Sequence, residues 1–360
     1  MPPDGTPVGS LGEFGLIDRL RAILGSPDDA GLQRRLVKGI SDDAAVLLPV
    51  PDRLQLISTD SYAEGIHFDL TYTSPHHLGW KVMAASLSDI AAMAGRPDFA
   101  TVALCIPQKA TVELISRLYE GVAAACREYS VAVVGGDTTA SSGGLIIGVT
   151  VTGSAGKDRV VFRSGAQPGD LLCVSGHLGA SHAGLKILLR EKARFAGSDP
   201  GTPFIPDLAR YTSALEKHFM PRPRFDIAGF FSERIRVHAM IDISDGLASE
   251  IHHICSESGV GAALYERSIP VDLVTQHIAG EFSESPLLYA LYGGDEYELL
   301  FTISDTEYEK LENLTEDVSV IGRMTEADKG IVYVRENGET EPLAGRGWDH
   351  FRAPGPGPDR

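Results

Sequence analysis

At 360 residues the chain is long enough for two domains, and its hydrophobic share of 43% and charged share of 22% are ordinary for a folded globular protein. Its 32 basic and 49 acidic residues give a formal charge of −17, which argues against a nucleic-acid binder and against a protein of anionic membrane surfaces. An acidic protein can still bind phosphorylated ligands if divalent cations carry the positive charge.

The first ten residues contain no basic region and no apolar core, so we expect no secretory signal. No apolar run approaches the ~18 residues that a membrane span requires, and we expect no membrane partner. The four cysteines are widely spaced, stand in apolar stretches and lack metal-binding spacing. We therefore expect buried free thiols in a protein of the reducing cytoplasm, at Cys105, Cys126, Cys173 and Cys255.

The first half of the chain predicts helices alternating with strands. Residues 14–24 have apolar side chains at helical spacing, and the apolar run at 44–48 predicts a buried strand. Further strands are predicted at 54–58, 101–106, 131–135 and 145–153, and helices near 75–94 and 110–129.

A stretch rich in glycine and charge between 153 and 170 predicts a domain boundary, which gives domains at 11–155 and 156–352. The second domain is predicted to contain strands at 170–176, 239–244 and 298–303 and helices near 178–191, 209–219, 224–236 and 246–258. Residues 197–207 predict a surface insertion, and residues 1–10 and 353–360 are predicted to be disordered. The whole pattern predicts an α/β or α+β fold.

Aspartates recur where a predicted strand ends or a turn begins. A single aspartate in such a place is usually a helix cap or a turn former. Five converging sites would repel one another unless cations lay among them, and carboxylates with neighbouring hydroxyls suit Mg²⁺ or Mn²⁺. A metal and phosphate site is therefore predicted from the stretches SDDAA (41–45), STD (58–60), LSDIAA (87–92), GGDTT (135–139) and IDISDG (241–246).

The glycine-rich stretch GGDTTASSGG (135–144) could bring backbone amides to phosphate oxygens beside Asp137, although a tight turn is the simpler explanation. The sequence contains neither G-x-x-x-x-G-K-[ST] nor G-x-G-x-x-G. The P-loop and Rossmann architectures therefore lack their residues, and a nucleotide enzyme here would need a different fold.

The ordered motifs along the chain resemble those of the thiamine-monophosphate kinases, a family of the aminoimidazole ribonucleotide synthetase superfamily. The resemblance extends from about residue 11 to 351. It rests on GEFGLIDRL (12–20), GISDDAAV (39–46), STDSYAEGIHF (58–68), LGWKVMAASLSDIAAMAGRP (78–97), GGDTTAS (135–141), RSGAQPGD (163–170), IDISDGL (241–247), GGDEYELLFT (293–302) and GWDHF (347–351).

The resemblance implies that ATP and thiamine phosphate are converted to ADP and thiamine diphosphate, with several Mg²⁺ ions between the substrates. It also implies a two-domain fold. The N-terminal α+β domain would pair with its twin in a homodimer through an intersubunit sheet barrel, and a C-terminal α/β domain would cover the site. No catalytic general base is implied.

Site residues follow from the resemblance at matching motif positions. The implied metal ligands are Asp43, Ser58, Thr59, Asp60, Asp89, Asp137, Asp242 and Asp245. The implied ATP contacts are Gly136, Asp137, Arg163 and Ser244, and the implied thiamine phosphate contacts are His67, Asp295 and Trp348. Taken alone, His67 and Trp348 would more often be structural residues, and Arg163 could belong to a surface ion pair.

Two positions depart from the family pattern. The family usually reads G-G-E-D-Y-E where this chain has Asp295 and then Glu296, so either acid could make the substrate contact. Ser41 replaces a customary glycine, and it would be strained by about 1 kcal/mol or more if the site needs a positive φ.

Other functions stay open. Selenophosphate synthetase would need a reactive cysteine near the N-terminus, and the hydrogenase maturation member would need a C-terminal cysteine; this chain has neither. An enzyme like aminoimidazole ribonucleotide synthetase, or a non-catalytic nucleotide- or cation-binding relative, are the remaining alternatives.

Overall fold

The computed structural model describes residues 5–40, 44–198 and 205–345. The described chain divides into two compact units. The first unit extends to Ile90 and resumes from Gly95 to Asp158, and the second contains Ala91–Ala94 and the described chain from Arg159 onward. None of the described helices is long and apolar enough to cross a membrane.

The first unit contains four helices and six strands among its described residues. In chain order they are α1 (Val8–Leu24), α2 (Ala30–Arg35), β1 (Leu36–Lys38), β2 (Val46–Leu47), β3 (Arg53–Ala63), α3 (Pro75–Ala92), β4 (Arg96–Pro107), α4 (Val112–Glu128), β5 (Ala132–Ser141) and β6 (Ile146–Gly156). The last two residues of α3 are counted with the second unit.

Four strands form the main sheet of the first unit, in the order β3, β6, β4, β5. The pairs β3–β6 and β4–β6 are antiparallel, and β4–β5 is parallel. Side chains alternate between the two faces of each strand. On β3, Leu56 and Tyr62 are buried whereas Ile57, Thr59 and Ser61 are exposed, so one face of the sheet is covered and the other is open.

Helices α3 and α4 cross at two glycines. A Cβ atom on Gly79 would lie 1.9 Å from the Leu118 carbonyl oxygen, and one on Gly121 would lie 1.9 Å from the His76 carbonyl oxygen. Only glycine at both positions allows the helix backbones to approach this closely. Since α3 also carries Asp89, this crossing fixes the position of a predicted site residue.

The predicted buried strand at 44–48 is wrong. Only β2 forms there, paired with β1, and Val46 and Leu48 are 49% and 52% exposed. Ala45 and Leu47 face the small core around Phe99 and Val134. The run is therefore half-buried, with side chains alternating between core and solvent, because only one face of this two-stranded ribbon is covered.

The second unit contains seven helices and seven strands among its described residues. In chain order they are β7 (Leu171–Ser175), α5 (Ala180–Ala196), α6 (Thr212–Phe219), α7 (Phe225–Glu233), β8 (Ala239–Asp242), α8 (Leu247–Ser258), β9 (Gly261–Tyr265), α9 (Leu273–Glu281), α10 (Pro286–Tyr292), β10 (Leu299–Ile303), α11 (Asp305–Glu312), β11 (Val318–Thr325), β12 (Ile331–Val334) and β13 (Thr340–Pro342).

These strands form one sheet in the order β13, β12, β9, β11, β7, β10, β8, with all neighbours antiparallel except β9 and β12. Strands β7 and β10 are buried along their whole length because the sheet has apolar clusters on both faces. Strand β8 lies at one edge and pairs with β10, so that Asp242 is opposite Leu299. The edge position of β8 places the IDISDG stretch at the end of the sheet.

All four cysteines are free thiols, as expected. Cys126, Cys173 and Cys255 are buried, but Cys105 is only partly buried. Cys105 lies on β4 in register with Ile146, on the open face of the sheet, so the expectation of burial is wrong for this residue. Burial raises the pKa of the Cys126 thiol to about 12, which makes it unreactive.

Candidate functional site

Three predicted residues of the first unit meet between β3 and α3. Ser58 and Asp60 project from the covered face of β3, and the Ser58 hydroxyl donates a hydrogen bond to the Asp89 carboxylate on α3. Ser86 lies one helical turn before Asp89, so both side chains are on the same face of α3. Ser86 also bonds to the Tyr62 hydroxyl, with 3.1 Å between the oxygens, which ties the helix to the strand.

The carboxylates of Asp60 and Asp89 repel each other. Burial raises the pKa of Asp60 above its ordinary value, the charge of Asp89 raises it further, and hydrogen bonds with Ser86 and Tyr62 lower it by less. Two carboxylates and a hydroxyl are the oxygen donors that a hard divalent cation prefers. The repulsion and the donor set both fit a Mg²⁺ ion at this place.

Thr59, Gly136 and Asp137 do not join this group. Thr59 lies on the open face of β3, where its hydroxyl is 2.9 Å from that of Thr150. Asp137 on β5 is in register with Ala103 and is exposed on the same open face. Strands β3 and β5 are separated by three strand spacings, about 14 Å. Within the first unit, the structure therefore places the predicted ligands on two faces of the sheet.

Gly136 has a structural reason to be glycine. A Cβ atom there would lie 2.0 Å from the carbonyl oxygen of Val102 on the neighbouring strand. The pairing of β4 and β5 shifts register just before this point, which brings the two backbones close together. No larger residue fits without moving β5.

His67 is held in one orientation by the end of β3. Its Nδ1 atom accepts a hydrogen bond from the Ala63 backbone N–H at 3.0 Å, and its ring packs edge-on against Tyr62 with 5.9 Å between ring centroids. Because Nδ1 accepts, the proton of the neutral ring is on Nε2. His67 is therefore held at the end of β3 with Nε2 as its hydrogen-bond donor atom.

In the second unit, Asp242, Ser244 and Asp245 surround the turn between β8 and α8. Asp242 is buried at the last position of β8, and Ser244 and Asp245 are half-buried. Gly246, with a φ of 115°, turns the chain into α8. A Cβ atom on Gly246 would be 2.9 Å from the Leu291 carbonyl oxygen, so the turn requires glycine both for its backbone angle and for its space.

Glu250 holds this turn from the first turns of α8. Its Oε1 atom accepts hydrogen bonds from the backbone N–H groups of Ser244 at 3.1 Å and Asp245 at 2.8 Å. Its other oxygen is buried and has no hydrogen-bond partner among the described residues. Burial raises the pKa of Glu250 to about 7, even though the bond from Asp245 lowers it. Sequence reasoning missed this residue, because a glutamate in a helix usually points to solvent.

The GGDEYE stretch forms a loop that we call the acidic loop, residues 293–298. Its backbone bonds to the turn before α8: the Asp295 N–H donates to the Ser244 carbonyl, and the Tyr297 N–H donates to the Ile243 carbonyl, each at 2.8 Å. The Tyr297 hydroxyl donates to Asp295 Oδ1 at 2.9 Å. Asp295 is half-buried and close to Ser244, so the structure brings the predicted nucleotide turn and the predicted substrate residue together.

The other two acids of the acidic loop are buried. Glu296 is 0% exposed, and its Oε1 atom accepts from the Ser181 N–H at the start of α5 at 3.0 Å. Glu298 contacts Lys217, Arg224 and the Ser175 hydroxyl. Burial alone would raise the pKa of Glu298, but Lys217 and Arg224 together hold it below its ordinary value. Of the three acids, only Asp295 is partly exposed.

Arg163 lies at the other end of α8. The Ser258 hydroxyl, in the last residue of α8, is 3.4 Å from the Arg163 carbonyl oxygen and also accepts from the Gly165 N–H. Helix α8 has 12 residues and is about 18 Å long. The Arg163 backbone is therefore about one helix length from Asp245, and its side chain is exposed.

Asp43 and Trp348, and Ser41 with its possible strain, lie outside the described residues. Within the described ranges, no group of three or more His, Cys, Asp or Glu side chains is arranged to hold a metal ion. A cavity of about 460 Å³ in the first unit, between the 25–29 loop and the end of α4, contains none of the predicted site residues. The acidic pair on β3 and α3 therefore remains the candidate centre of the first unit.

Comparison with known proteins agrees with this architecture. The family of AIR synthase related proteins matches twice: the model of its N-terminal domain covers residues 41–155, and that of its C-terminal domain covers residues 167–335. The chain thus has the two-domain α/β fold of this superfamily, and the predicted fold class is confirmed.

Similarity to individual proteins identifies one family within this superfamily. The chain is 33% identical to the thiamine-monophosphate kinase of Bacillus subtilis (strain 168), with 87% of this chain and 93% of the relative covered. It is 34% identical to that of Aquifex aeolicus (strain VF5), with 95% and 98% covered. A solved structure of AaThiL complexed with AMPPCP and TMP is 31% identical, covers 97% of this chain and 100% of its own, and superposes with a TM-score of 0.72. The chain belongs to the thiamine-monophosphate kinase family.

Proposed function

We propose that the protein transfers the γ-phosphoryl group of ATP to thiamine phosphate, forming ADP and thiamine diphosphate. Family membership supports the reaction, and a solved relative was complexed with AMPPCP, an ATP analogue, and TMP. The observation that carries the proposal is the facing pair Asp60 and Asp89 with the Ser58 hydroxyl, an arrangement suited to metal-assisted phosphoryl transfer.

We propose that several Mg²⁺ ions are bound during the reaction. The ligands in the first unit would be Ser58, Asp60 and Asp89 on the covered face and Thr59 and Asp137 on the open face, together with Asp43. Those in the second unit would be Asp242 and Asp245. Bound Mg²⁺ would neutralise charge on the carboxylates and on the phosphates of both substrates.

The residues of the chain have little covalent chemistry to perform. The attacking atom is a phosphate oxygen of thiamine phosphate, whose second pKa near ~6 leaves it mostly ionised at neutral pH, so no general base is required. Ser58 keeps the Asp89 carboxylate in one orientation through its hydrogen bond. We propose direct in-line transfer, and a labelled phosphoprotein formed from labelled ATP and then chased by thiamine phosphate would contradict it.

We propose that Gly136, Asp137, Ser244 and Arg163 contact ATP and that His67, Asp295 and Trp348 contact thiamine phosphate. The Nε2 proton of His67 suits the phosphate group. The Asp295 carboxylate suits the thiazolium cation, and the burial of Glu296 leaves Asp295 as the acid that can reach it. An aromatic face such as that of Trp348 also suits a cation.

The function is tested by measuring ADP release with four acceptors side by side: thiamine phosphate, thiamine, an aminoimidazole ribonucleotide precursor and water. We expect ADP release with thiamine phosphate alone, together with stoichiometric thiamine diphosphate in the product. Release with the aminoimidazole precursor would favour a synthetase. ATP binding without turnover of any acceptor would favour the non-catalytic alternative.

We also propose that two copies of the chain form a homodimer through the open face of the β3–β6–β4–β5 sheet. This face carries no charged side chain on β3 from Gln55 to Ala63, and it exposes Ile57 by 73% and Ile146 by 40%. A sheet face with exposed isoleucines is stabilised by burial against a partner. Light scattering should give the mass of a dimer for the wild type and of a monomer for Ile57→Asp. A monomeric wild type would refute the proposal.

We further propose that the protein works in the cytoplasm. Its four cysteines are free thiols, three of them buried in the cores of the two units. Such thiols persist without special protection in a reducing compartment. Fractionation of cells that express the tagged protein would test the location.

A further inference from the structure

Glu296 connects the acidic loop to the start of α5. The carboxylate is 0% exposed, and its Oε1 atom accepts a hydrogen bond from the backbone N–H group of Ser181 at 3.0 Å. The N-cap of α5 is Gly179, which has no side chain to bind the first N–H groups of the helix. Glu296 therefore supplies, from a distant part of the chain, the cap that α5 lacks.

The residues on either side of Glu296 have strained backbones. Asp295 has a φ of 64° and Tyr297 a φ of 54°, values that favour glycine. Such conformations are energetically unfavourable for these residues and persist only where the surroundings hold them. The loop is held on one side by its backbone bonds to Ile243 and Ser244, and on the other by Glu296.

This strain has a directional result. Between the two residues of positive φ, the side chain of Glu296 is buried, while Asp295 is half-buried next to Ser244. The Tyr297 hydroxyl then fixes the Asp295 carboxylate by a bond of 2.9 Å. The hydrogen bond of Glu296 to α5 is thus one of the contacts that hold the loop in this form.

We propose that Glu296 is a positioning residue for recognition of thiamine phosphate: its hydrogen bond to the Ser181 N–H of α5 holds the acidic loop in the strained form that presents Asp295. This inference rests on the proposed function. Glu298, two residues later, has different partners, since it pairs with Lys217 and Arg224 inside the unit.

The test compares steady-state kinetics of the wild type with Glu296→Ala, which removes the acceptor, and Glu296→Gln, which retains a carbonyl oxygen for the Ser181 N–H group. For Glu296→Ala we expect KM for thiamine phosphate to rise about tenfold or more, while KM for ATP changes by less than about threefold. Glu296→Gln should stay within about threefold of the wild type for both substrates.

Ser304→Ala is the matched control. Ser304 caps α11 by accepting from the Glu307 N–H at 3.3 Å, and it follows the end of β10 remote from the acidic loop. It should lower the melting temperature and leave both KM values unchanged. A selective rise in KM for thiamine phosphate with Glu296→Ala supports the proposal. An equal rise for both substrates, or a large rise with Glu296→Gln, overturns it.

Two further outcomes distinguish a failure of the proposed function from a failure of the Glu296 proposal. If the wild type does not phosphorylate thiamine phosphate, the proposed function fails, whatever the Glu296 variants do. If Glu296→Ala does not fold, Glu296→Gln alone decides, because retention of wild-type KM values in a folded Gln variant supports an acceptor role and their loss contradicts it.

Discussion

The Ser58 hydroxyl on β3 donates a hydrogen bond to the Asp89 carboxylate on α3, and Asp60, two residues along β3, faces the same carboxylate. A strand and a helix thus bring two acids together on the covered face of the sheet. Their mutual repulsion costs folding free energy that a bound cation would offset. Activity and stability should respond in opposite directions when one acid is removed.

Asp60→Asn should therefore lower kcat by about a hundredfold or more while raising the melting temperature in the absence of metal. The gain in stability arises because burial and the charge of Asp89 both disfavour the ionised Asp60. Calorimetry with and without Mg²⁺ measures the melting temperature, and the ADP-release assay measures kcat. Ser61→Ala, on the open face of the same strand, is the control and should leave kcat near the wild-type value. A less stable Asp60→Asn would contradict the repulsion.

Loss of the Glu250 side chain should weaken ATP binding at the turn between β8 and α8, and not only lower stability. Glu250→Ala removes the acceptor of the Ser244 and Asp245 N–H groups, so we expect KM for ATP to rise about tenfold. Glu257→Ala is the matched control, because Glu257 is exposed near the other end of α8. If both variants behave like the wild type in ATP titrations, Glu250 does not position this turn.

The crossing of α3 and α4 should not tolerate a methyl group. Gly121→Ala would place a Cβ atom 1.9 Å from the His76 carbonyl oxygen, and we expect a loss of roughly 2–3 kcal/mol or more in the free energy of unfolding. Gly229→Ala in α7 is the control, because a Cβ atom there meets nothing within 4 Å, and it should stabilise by about 0.5–1 kcal/mol. Urea unfolding of both variants measures the difference, and a stable Gly121→Ala would refute the close contact.

Stability should decline as pH rises from about 4.5 to 7 through the carboxyl of Glu296. Burial raises its pKa from 4.5 to about 7, opposed in part by Lys217, with Glu298 as a further negative charge nearby. The folded state then binds more protons than the unfolded state in this window, so the free energy of unfolding falls with pH. One such group contributes a slope of up to about 1.4 kcal/mol per pH unit. Glu250, whose pKa burial also raises to about 7, contributes to the same slope, so Glu296→Gln should reduce the slope rather than remove it. An unchanged slope would exclude the Glu296 carboxyl as a source.

The spacing of apolar residues in the sequence predicted much of the fold. The spacing of Val112, Ile115, Leu118 and Val122 indicates α4, and these residues are all buried. The short strand β9 was missed, because GAALY is only weakly apolar and follows a helix closely. The buried strand expected at 44–48 failed because an apolar run does not reveal how many of its faces are covered.

The candidate site was predicted unevenly. Ser58, Asp60 and Asp89 stand in motifs and meet in the structure. The sequence did not indicate that Glu250 and Glu296 are buried and accept backbone hydrogen bonds, because the sequence does not distinguish a buried glutamate from an exposed one. Two sequence positions could have indicated these buried acids. Glu250 is four residues after Gly246, the N-cap of α8, and Glu296 is shortly before the apolar strand β10.

Strand β3 uses its two faces for different purposes. Ser58 and Asp60 face the helices, whereas Ile57 and Thr59 face outward. Since side chains alternate strictly along a strand, inserting or deleting a single residue upstream in β3 would exchange the two sets. The carboxylate would then point to the outer surface and an isoleucine into the acidic pocket. A change of chain length near β3 must therefore fall in the loops on either side of it, because β3 can change its residues one by one but cannot change its length by one.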